Sequence, residues 1–560
     1  MNNLKRASVW IPLIVAIAFI VGFLAGDIVN RQSGPTPTQK KFQTILNLIR
    51  KDYVDEVDLD SVLEKTLPSM LANLDPHSAY IPASELQAVN DDLDGSFCGV
   101  GIQFMINNDT ISVIEVTSGG PSEKVGLLPG DRIVKVDGED EAGVGITNED
   151  VIKKLRGPRD TRVQLTVKRS NSKKLLSFDV TRGDIPVNTV DASYIVSPGI
   201  GYIKVNKFGR TTYDEFWEAL TDLRSQEAQD FVIDLRGNTG GFMEIAFLMV
   251  NEFLEKGQPI VTTRGRDLYS SQEVHADGNG NFKDAQLVVL LDEFSASSSE
   301  IFAGALQDND RALIVGRRSF GKGLIQRQSV LSDSSAVRLT IGRYYTPSGR
   351  CIQKDYSNGA LYGHDIIDRY NRGEMFSLDS IKFDESLQFT TLNGRKVYGG
   401  GGIMPDIFVP NDTSGITSYY INVANAGLLQ KFAFDYVDTN REALKSKASA
   451  EELLKSLPSD DVLLRQFVNF AARNGVQARW YYINISHDLI VNQLKALIAR
   501  DALGYNAYFE IVNRMDSNVL RAVSELLNGT AAFPIKPEPA VPQGRPGASA
   551  KSKAKGDSKS

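Results

Sequence analysis

Strand-like and helix-like segments alternate between residues 193 and 315, and this alternation limits the possible folds of the chain more than any other pattern in its sequence. Buried strands are predicted at Asp230–Asp234 and Leu287–Leu291, and helical spacing occupies Thr212–Leu223 and Ser298–Gln307. The same stretch contains further predicted strands at Ile200–Val205 and Ala312–Val315 and a predicted helix at Met243–Phe253. Strands that alternate with helices favour a layered α/β domain.

The rest of the 560 residues falls into regions of different periodicity. A chain of this length is expected to contain more than one hydrophobic core. Helical spacing predicts helical regions at 40–90 and 418–530, and short strands between Gly-rich turns predict a β-rich domain at 94–184. The α/β domain is predicted to span 190–412, with a polar and irregular insertion at about 355–392. A tail rich in Pro, Ala, Lys and Ser at 534–560 is predicted to be disordered.

The N-terminal segment 1–31 has the pattern of a membrane anchor. Lys5 and Arg6 precede an uncharged stretch of 20 residues from Ala7 to Gly26. A helix of that length spans the hydrocarbon core of a bilayer, which is about 30 Å thick. Because the positive charges come first, we expect the N-terminus in the cytoplasm and the body of the chain on the other side of the membrane. A cleaved signal peptide is the alternative.

Charge and cysteine content argue against several classes of partner. The formal net charge is −7 and the basic residues form no stripe, which argues against nucleic acid as a partner. Cys98 and Cys351 are the two cysteines of the sequence and have no C-x-x-C spacing, which argues against a metal site and a disulfide framework. A single bridge between them stays open, because it depends on the geometry of the fold.

The first chemical motif is a serine cluster at the junction of a predicted strand and a predicted helix. Residues 295–300 read SASSSE and follow the apolar segment LVVLLD. A strand-to-helix turn exposes a side chain above the sheet and leaves free N–H groups at the start of the helix, which can bind an oxyanion. Serines before a helix are also common capping residues, so the cluster alone leaves both interpretations open.

The second motif, SFGKGLIQ at residues 319–326, places a lysine between two glycines. Removing an ammonium group from water lowers its pKa, so Lys322 can act as a base near neutral pH. A serine hydroxyl needs such a base to become a nucleophile, and Gln326 is placed to orient the lysine. The stretch also resembles a Walker A loop, but Gly323 stands where that loop has the Ser or Thr that binds Mg²⁺, which argues against nucleotide binding.

Two glycine-rich segments offer backbone N–H groups. Residues 234–241, DLRGNTGG, follow a predicted strand, and the N–H of Gly241 can complete an oxyanion hole with that of Ser298. A simple turn is the alternative for this segment. Residues 97–102, FCGVGI, contain a turn that can receive a chain-terminal carboxylate, and the strand after it can pair with an extended peptide.

Together these motifs resemble the C-terminal processing peptidases, also called tail-specific proteases, which carry a PDZ domain. The resemblance covers about residues 42–410 and rests on GVGIQF, PSEKVGLLPGDRIVKVDGE, DLRGNTGG, FSASSSEIFAGALQD, GRRSFGKGLIQ and RLTIGRYYTPSGRCIQ, in that order. It implies an α/β protease core of the ClpP/crotonase type with an inserted β-rich PDZ domain. The predicted N-terminal and C-terminal helical regions accompany this core. The resemblance implies no metal, nucleotide or other cofactor.

The resemblance also implies roles for individual residues. Ser297 matches the nucleophile, Lys322 the base and Gln326 an auxiliary residue. The oxyanion donors would be the N–H groups of Gly241 and Ser298, and Ser298 stands where the family usually has Ala. Contact with the substrate C-terminus is assigned to four residues of the PDZ turn and strand: Gly99, Val100, Gly101 and Ile102.

The expected function is that of a membrane-anchored serine endopeptidase that cleaves extracytoplasmic proteins near their C-termini. We expect a single-pass protein of the bacterial inner membrane with its catalytic part in the periplasm. Its predicted partners are protein or peptide C-termini, and an adaptor or a homo-oligomer is a further possibility. The four histidines are interpreted as structural or exposed rather than as members of a triad: His77, His275, His364 and His487.

Two other functional classes are weighed against this expectation. The first is a non-catalytic PDZ scaffold on a protease-like core, against which the joint presence of Ser297, Lys322 and Gln326 argues. The second is an acyl-CoA-type enzyme, because the core type is shared with the crotonases. The PDZ pattern and the Lys–Gln motif argue against that class.

Overall fold

The computed structural model describes residues 36–169, 172–267, 270–357 and 359–531. The predicted anchor at 7–26 and the predicted tail at 534–560 lie outside these residues. Within the described part of the chain, no helix is both long and apolar enough to cross a membrane. The chain divides between Pro82 and Ala83 into two compact units.

The first unit consists of two helices and a short strand. These are α1 (Pro37–Asp52), α2 (Leu59–Ala72) and β1 (Ala79–Ile81). A capping box fixes the start of α1: the Thr36 hydroxyl accepts the N–H of Gln39, and the Gln39 side chain accepts the N–H of Thr36. Helices therefore occupy this segment, as its spacing predicts.

The second unit begins with a β-rich domain. Its elements are α3 (Ala83–Asp94), β2 (Ser96–Gly99), β3 (Ile102–Ile106), β4 (Ile111–Val116), α4 (Pro121–Lys124), β5 (Arg132–Val136), β6 (Glu139–Asp140), α5 (Asn148–Leu155), β7 (Arg162–Lys168), β8 (Leu176–Thr181) and β9 (Gly183–Pro186). The main sheet has the order β3-β4-β5-β7-β8, so β3 is an edge strand, while β2 pairs with β9. A separate apolar core that includes Val113, Ile133 and Leu165 holds the domain together.

The α/β domain follows, with strands and helices in alternation. Its elements are β10 (Val190–Ser197), β11 (Ile200–Val205), α6 (Thr212–Ser225), β12 (Asp230–Asp234), α7 (Met243–Asn251), β13 (Pro259–Gly265), β14 (Gln272–His275), β15 (Leu287–Leu291), α8 (Ser298–Asp308), β16 (Leu313–Gly316), β17 (Leu324–Val330), β18 (Ala336–Tyr345), α9 (Gly359–Asn371), β19 (Gln388–Thr390), β20 (Lys396–Tyr398) and β21 (Ile407–Phe408). The central sheet has the order β10-β11-β12-β15-β16-β21. All its pairs are parallel except the β10–β11 pair.

The central sheet is apolar on both faces, which explains the uninterrupted apolar strands of the sequence. One face, with Ile233 and Val289, packs into the core shared with α6, α7 and α8. The other face, with Val232 and Val288, packs into a second core that includes Val519 from the C-terminal region. Because β12 and β15 are paired in parallel, their carboxyl ends lie side by side, and the motifs that follow these strands meet there.

The segment predicted to be an insertion of polar and irregular sequence, 355–392, includes regular elements. It contains the 13-residue helix α9 and strand β19. Polar residues of this segment take part in its packing. Arg369, in α9, is fully buried and donates to Glu374 and to the carbonyl groups of Arg318 and Ser319.

The C-terminal region is helical, as predicted. It contains α10 (Ser418–Asn425), α11 (Leu428–Thr439), α12 (Arg441–Lys445), α13 (Ala450–Ser456), α14 (Asp460–Arg473), α15 (Trp480–Ile485), α16 (His487–Leu503), α17 (Tyr505–Val512) and α18 (Ser517–Leu527). Helix α11 contacts the β-rich domain: Asp435 accepts from Asn107 at 3.1 Å and Asp438 pairs with Arg132 at 2.8 Å. The two cysteines, whose pairing the sequence leaves open, are both free thiols.

Candidate active site

Ser297 lies on the turn between β15 and α8 in a strained backbone conformation. Its φ is 55° and its ψ is −114°, values that a non-glycine residue rarely adopts. Such strain is characteristic of functional turns, where the surrounding structure holds it. Ser297 and Ser298 both line a cleft of about 950 Å³.

The neighbouring serines are occupied elsewhere. The hydroxyl of Ser295 donates to the carbonyl of Leu235, that of Ser298 to the carbonyl of Gly241, and that of Ser299 to the carbonyl of Asn238, each at 2.9 Å. All three carbonyls belong to the loop that follows β12. The serine cluster therefore binds the two loops together and leaves Ser297 as the member whose hydroxyl is not committed to that loop.

The loop after β12 approaches Ser297 so closely that glycine is required there. A Cβ atom on Gly240, whose φ is +102°, would lie 2.7 Å from the Cβ of Ser297. A Cβ on Gly241, whose φ is +149°, would lie 2.2 Å from the carbonyl oxygen of Phe208. Within the described residues, the N–H groups of Gly241 and Ser298 make no backbone hydrogen bond outside the regular elements. Both are therefore available to an oxyanion next to Ser297.

Lys322 and Gln326 line the same cleft. The Nζ of Lys322 donates to the Oε1 of Gln326 at 3.1 Å. Both side chains are half-buried. The interaction that the sequence predicts between this lysine and this glutamine is thus present, and Gln326 limits the orientations of the amine.

Glu300 connects the serine turn to the lysine loop. Its Oε2 accepts the N–H of Ser297 at 2.9 Å and that of Lys322 at 2.8 Å. Its Oε1 accepts the N–H of Gly321 at 2.7 Å and the hydroxyl of Ser319 at 2.5 Å. Complete burial raises the pKa of the Glu300 carboxyl, while these four donors oppose that shift. No role for Glu300 is predicted from the sequence, although a glutamate three positions after Ser297 has the spacing of a capping box.

Tyr344 also connects the serine turn to the lysine loop. Its hydroxyl lies 3.0 Å from the carbonyl oxygen of Ser297 and 2.7 Å from that of Lys322, and it can donate to either. The ring is buried, and burial raises the pKa of the phenol well above its usual value, so the hydroxyl stays a donor. Tyr344 lies within the RLTIGRYYTPSGRCIQ segment, but the sequence does not predict its contact with Ser297, because the two residues are 47 positions apart.

The residues predicted to bind a substrate C-terminus lie between β2 and the edge strand β3 of the β-rich domain. Gly99 ends β2, Val100 and Gly101 form the turn, and Ile102 begins the edge strand β3. The side chain of Val100 is buried, so it can contact a ligand only through its backbone. An edge strand can accept an added strand.

Three family models match separate parts of the chain. Residues 199–359 match peptidase family S41, residues 99–181 match the PDZ domain, and residues 419–504 match a family of unknown function. The first match lies within the α/β domain and the second within the β-rich domain. The third lies in the C-terminal helical region.

The chain is also similar to curated proteins. It is 35% identical over 350 residues to a carboxy-terminal-processing protease of Bartonella bacilliformis, covering 60% of this chain and 80% of that protein. It is 34% identical over 321 residues to the carboxy-terminal processing protease CtpB of Bacillus subtilis, covering 56% and 65%. Among solved structures, the photosystem II D1 C-terminal processing protease is 27% identical with a TM-score of 0.35, covering 67% of this chain and 87% of that one.

Proposed function

Because this chain belongs to the carboxy-terminal processing proteases of peptidase family S41, we propose that it cleaves proteins near their C-termini with Ser297 as nucleophile and Lys322 as base. It is a serine-type peptidase with a PDZ domain. The observation that carries the assignment is the strained turn that presents Ser297 to a cleft shared with Lys322 and Gln326. The fixed hydroxyls of the neighbouring serines support Ser297 over them.

In the proposed mechanism, neutral Lys322 accepts the proton of the Ser297 hydroxyl as the Oγ attacks a peptide carbonyl. The N–H groups of Gly241 and Ser298 stabilise the oxyanion, an effect of about 3–4 kcal/mol per donor in other serine peptidases. The lysine then passes the proton to the leaving amine, and the peptide C–N bond breaks. A water attacks the acyl-enzyme and gives its proton to Lys322. The lysine returns that proton to the Oγ of Ser297 as the acyl C–O bond breaks and the new C-terminus leaves.

The PDZ domain is proposed to select substrates by their free C-terminus. The backbone from Gly99 to Ile102 would receive the carboxylate, and the open edge of β3 would pair with the tail. The substrate residues that precede the bound C-terminus would then extend toward the cleft.

The test compares the full chain, purified in detergent, with Ser297→Ala and Lys322→Ala on an unfolded reporter protein with an apolar tail. The parent is expected to cleave the reporter, and both variants are expected to lose at least about 10³-fold in rate, in the range seen for catalytic residues. A phosphonylating probe should label the peptide that contains Ser297. Labelling of Ser295, Ser298 or Ser299, or full cleavage by Ser297→Ala, would disprove the nucleophile assignment. Amidation of the reporter tail should weaken cleavage if the PDZ domain reads the carboxylate.

We also propose that residues 7–26 anchor the protein as a single pass in the bacterial inner membrane, with the catalytic part in the periplasm. The support for this is the sequence pattern alone: positive residues followed by 20 uncharged ones. Fractionation of cells that express the full chain, and protease accessibility of a C-terminal tag in spheroplasts, would test it. Recovery of the full chain in the soluble fraction would contradict it.

A further inference from the structure

The active-site cleft is basic although the protein is acidic. The residues that line it include five basic side chains, Lys207, Arg210, Lys322, Arg327 and Arg338, and two acidic ones, Asp94 and Glu244. The net charge of the whole chain is −7. The charge of Arg210 is already balanced by Asp94 at 2.5 Å. A cleft with this charge pattern favours a substrate that carries negative charge.

Arg338 stands out among these residues because it is half-buried without a carboxylate. Its only hydrogen bond to the described residues runs from Nη2 to the Oε1 of Gln328, at 2.8 Å. No ion pair to Arg338 is formed within the described part of the chain, and burial lowers the pKa of its guanidinium with no acidic group to oppose the shift. A cation removed from water without a counter-ion is costly, and a ligand carboxylate would compensate that cost.

The surrounding residues hold Arg338 in place for such a ligand. The Nε2 of Gln328 donates to the Oδ1 of Asn90 at 3.0 Å, so the amide that accepts from Arg338 is itself oriented. The planar guanidinium keeps its remaining donors for a second partner, and a carboxylate fits that geometry with two parallel hydrogen bonds.

The position of Arg338 relative to the catalytic residues follows from the strand register. Gln326, which binds the Lys322 amine, pairs with Thr340, and Gln328 pairs with Arg338. Residues two apart on a strand face the same side and are separated by about 6.6 Å. An extended substrate advances by about 3.3 Å per residue. An extended substrate that runs along these strands would therefore need about two residues to pass from the level of Gln326, beside the Lys322 amine, to the level of Arg338.

We propose that Arg338 determines specificity by binding a substrate carboxylate about two residues from the scissile bond. That carboxylate is either an acidic side chain or the free end of a short C-terminal tail. The proposal rests on the proposed function of the same site. It makes Arg338 a substrate-binding residue of the cleft, separate from the PDZ turn that reads the distal C-terminus.

The experiment uses two pairs of substrates. In the first pair, reporters with one constant C-terminal tail carry Glu or Gln two residues to either side of the mapped cleavage site. In the second pair, a short peptide that ends two residues beyond the site has a free or an amidated C-terminus. The chain is tested as the parent, as Arg338→Gln, as Arg338→Lys and as Arg343→Gln, a matched control that removes an exposed arginine from the same strand outside the cleft.

Arg338→Gln is expected to raise KM by about 10–100-fold for the carboxylate member of one pair, in line with the loss of a charge-assisted bond. The neutral member should change by less than about twofold, and Arg338→Lys should retain part of the preference because the charge remains. Whichever pair responds identifies the source of the carboxylate.

An equal effect of Arg338→Gln on the charged and neutral members would show a structural role and overturn the proposal, as would a parent that prefers neither member. Peptide binding by the Ser297→Ala variant, measured by fluorescence anisotropy, gives the same comparison without turnover. This binding measurement therefore tests the carboxylate preference independently of whether Ser297 is the nucleophile. Arg338→Glu, combined with Lys in place of the substrate Glu, provides a charge-swap check in which recovered binding is expected.

Discussion

The N–H of Lys322 donates to the carboxylate of Glu300 at 2.8 Å. The loop that carries the proposed base is therefore attached to the first turn of the helix that follows the proposed nucleophile. The same carboxylate oxygen also accepts the N–H of Ser297. One buried side chain thus sets the relative position of both members of the proposed dyad.

Glu300→Gln is expected to destabilise the protein and to reduce its activity. The amide has one acceptor oxygen in place of two, and its NH₂ group faces N–H donors, so at least two buried donors lose their partner. Each such loss costs about 1–3 kcal/mol, so we expect a decrease of about 2–5 kcal/mol in the free energy of unfolding. Urea denaturation and kcat on the reporter measure the two effects. Glu218→Gln, at an exposed position of α6, serves as the control, and an equally small effect of both substitutions would contradict the role of Glu300.

Gly240→Ala is expected to disrupt the cleft by a steric clash, in addition to the backbone strain of placing alanine at a positive φ. A Cβ at this position would lie 2.7 Å from the Cβ of Ser297 and 2.8 Å from the carbonyl oxygen of Ala296, so the serine turn must shift. We expect a loss of at least about 10²-fold in kcat, because small displacements of reacting groups have effects of that size. Gly199→Ala is the matched control, since Gly199 also has a positive φ, +78°, but its Cβ would meet no atom within 4 Å. Comparable activity of the two variants would contradict the steric argument.

Asp191→Asn is expected to stabilise the protein at neutral pH. Burial raises the pKa of Asp191 to about 6, although the nearby Lys204 opposes the shift. Between about pH 4 and 6 the folded chain therefore binds more protons than the unfolded chain, and the free energy of unfolding falls as pH rises. Asparagine resembles the protonated form, so the variant should exceed the parent by about 1–3 kcal/mol above pH 6 and lose this advantage below pH 4. Urea denaturation at several pH values between 4 and 8 measures this difference in the free energy of unfolding. Asp222→Asn, at an exposed site, is the control. A pH-independent difference would contradict the titration of Asp191.

The ion pair between Arg132 and Asp438 is expected to couple the PDZ domain to the C-terminal helices. The pair is 2.8 Å long, and the Asp438 side chain is 14% exposed. A double-mutant cycle with Arg132→Gln and Asp438→Asn should give a coupling energy of about 0.5–1 kcal/mol that decreases at high salt. The exposed helix pair Glu149–Lys153 is a comparison within the same chain, with a smaller expected coupling because solvent screens it more strongly. Zero coupling for Arg132 and Asp438 would show that this ion pair does not stabilise the contact between the PDZ domain and the C-terminal helices.

The sequence alone determined the order of elements in the catalytic domain and the location of its motifs. Apolar runs such as Leu287–Leu291 are readable because a parallel sheet covered on both faces demands them. The serine and lysine motifs are local patterns at strand ends, and the Lys322–Gln326 contact spans four residues. Such features depend on residues that are close in sequence, so they can be predicted without knowledge of the fold.

Contacts between groups that are distant in sequence depend on the tertiary structure. Asp516, beyond the protease core in sequence, pairs at 2.8 Å with Arg236 in the loop after β12. Tyr344 reaches the carbonyl groups of Ser297 and Lys322, and the half-buried Arg338 has no acidic partner among the described residues. The physical reason is that burial and the pairing of distant polar groups depend on how strands and helices pack. One-dimensional periodicity carries no information about that packing.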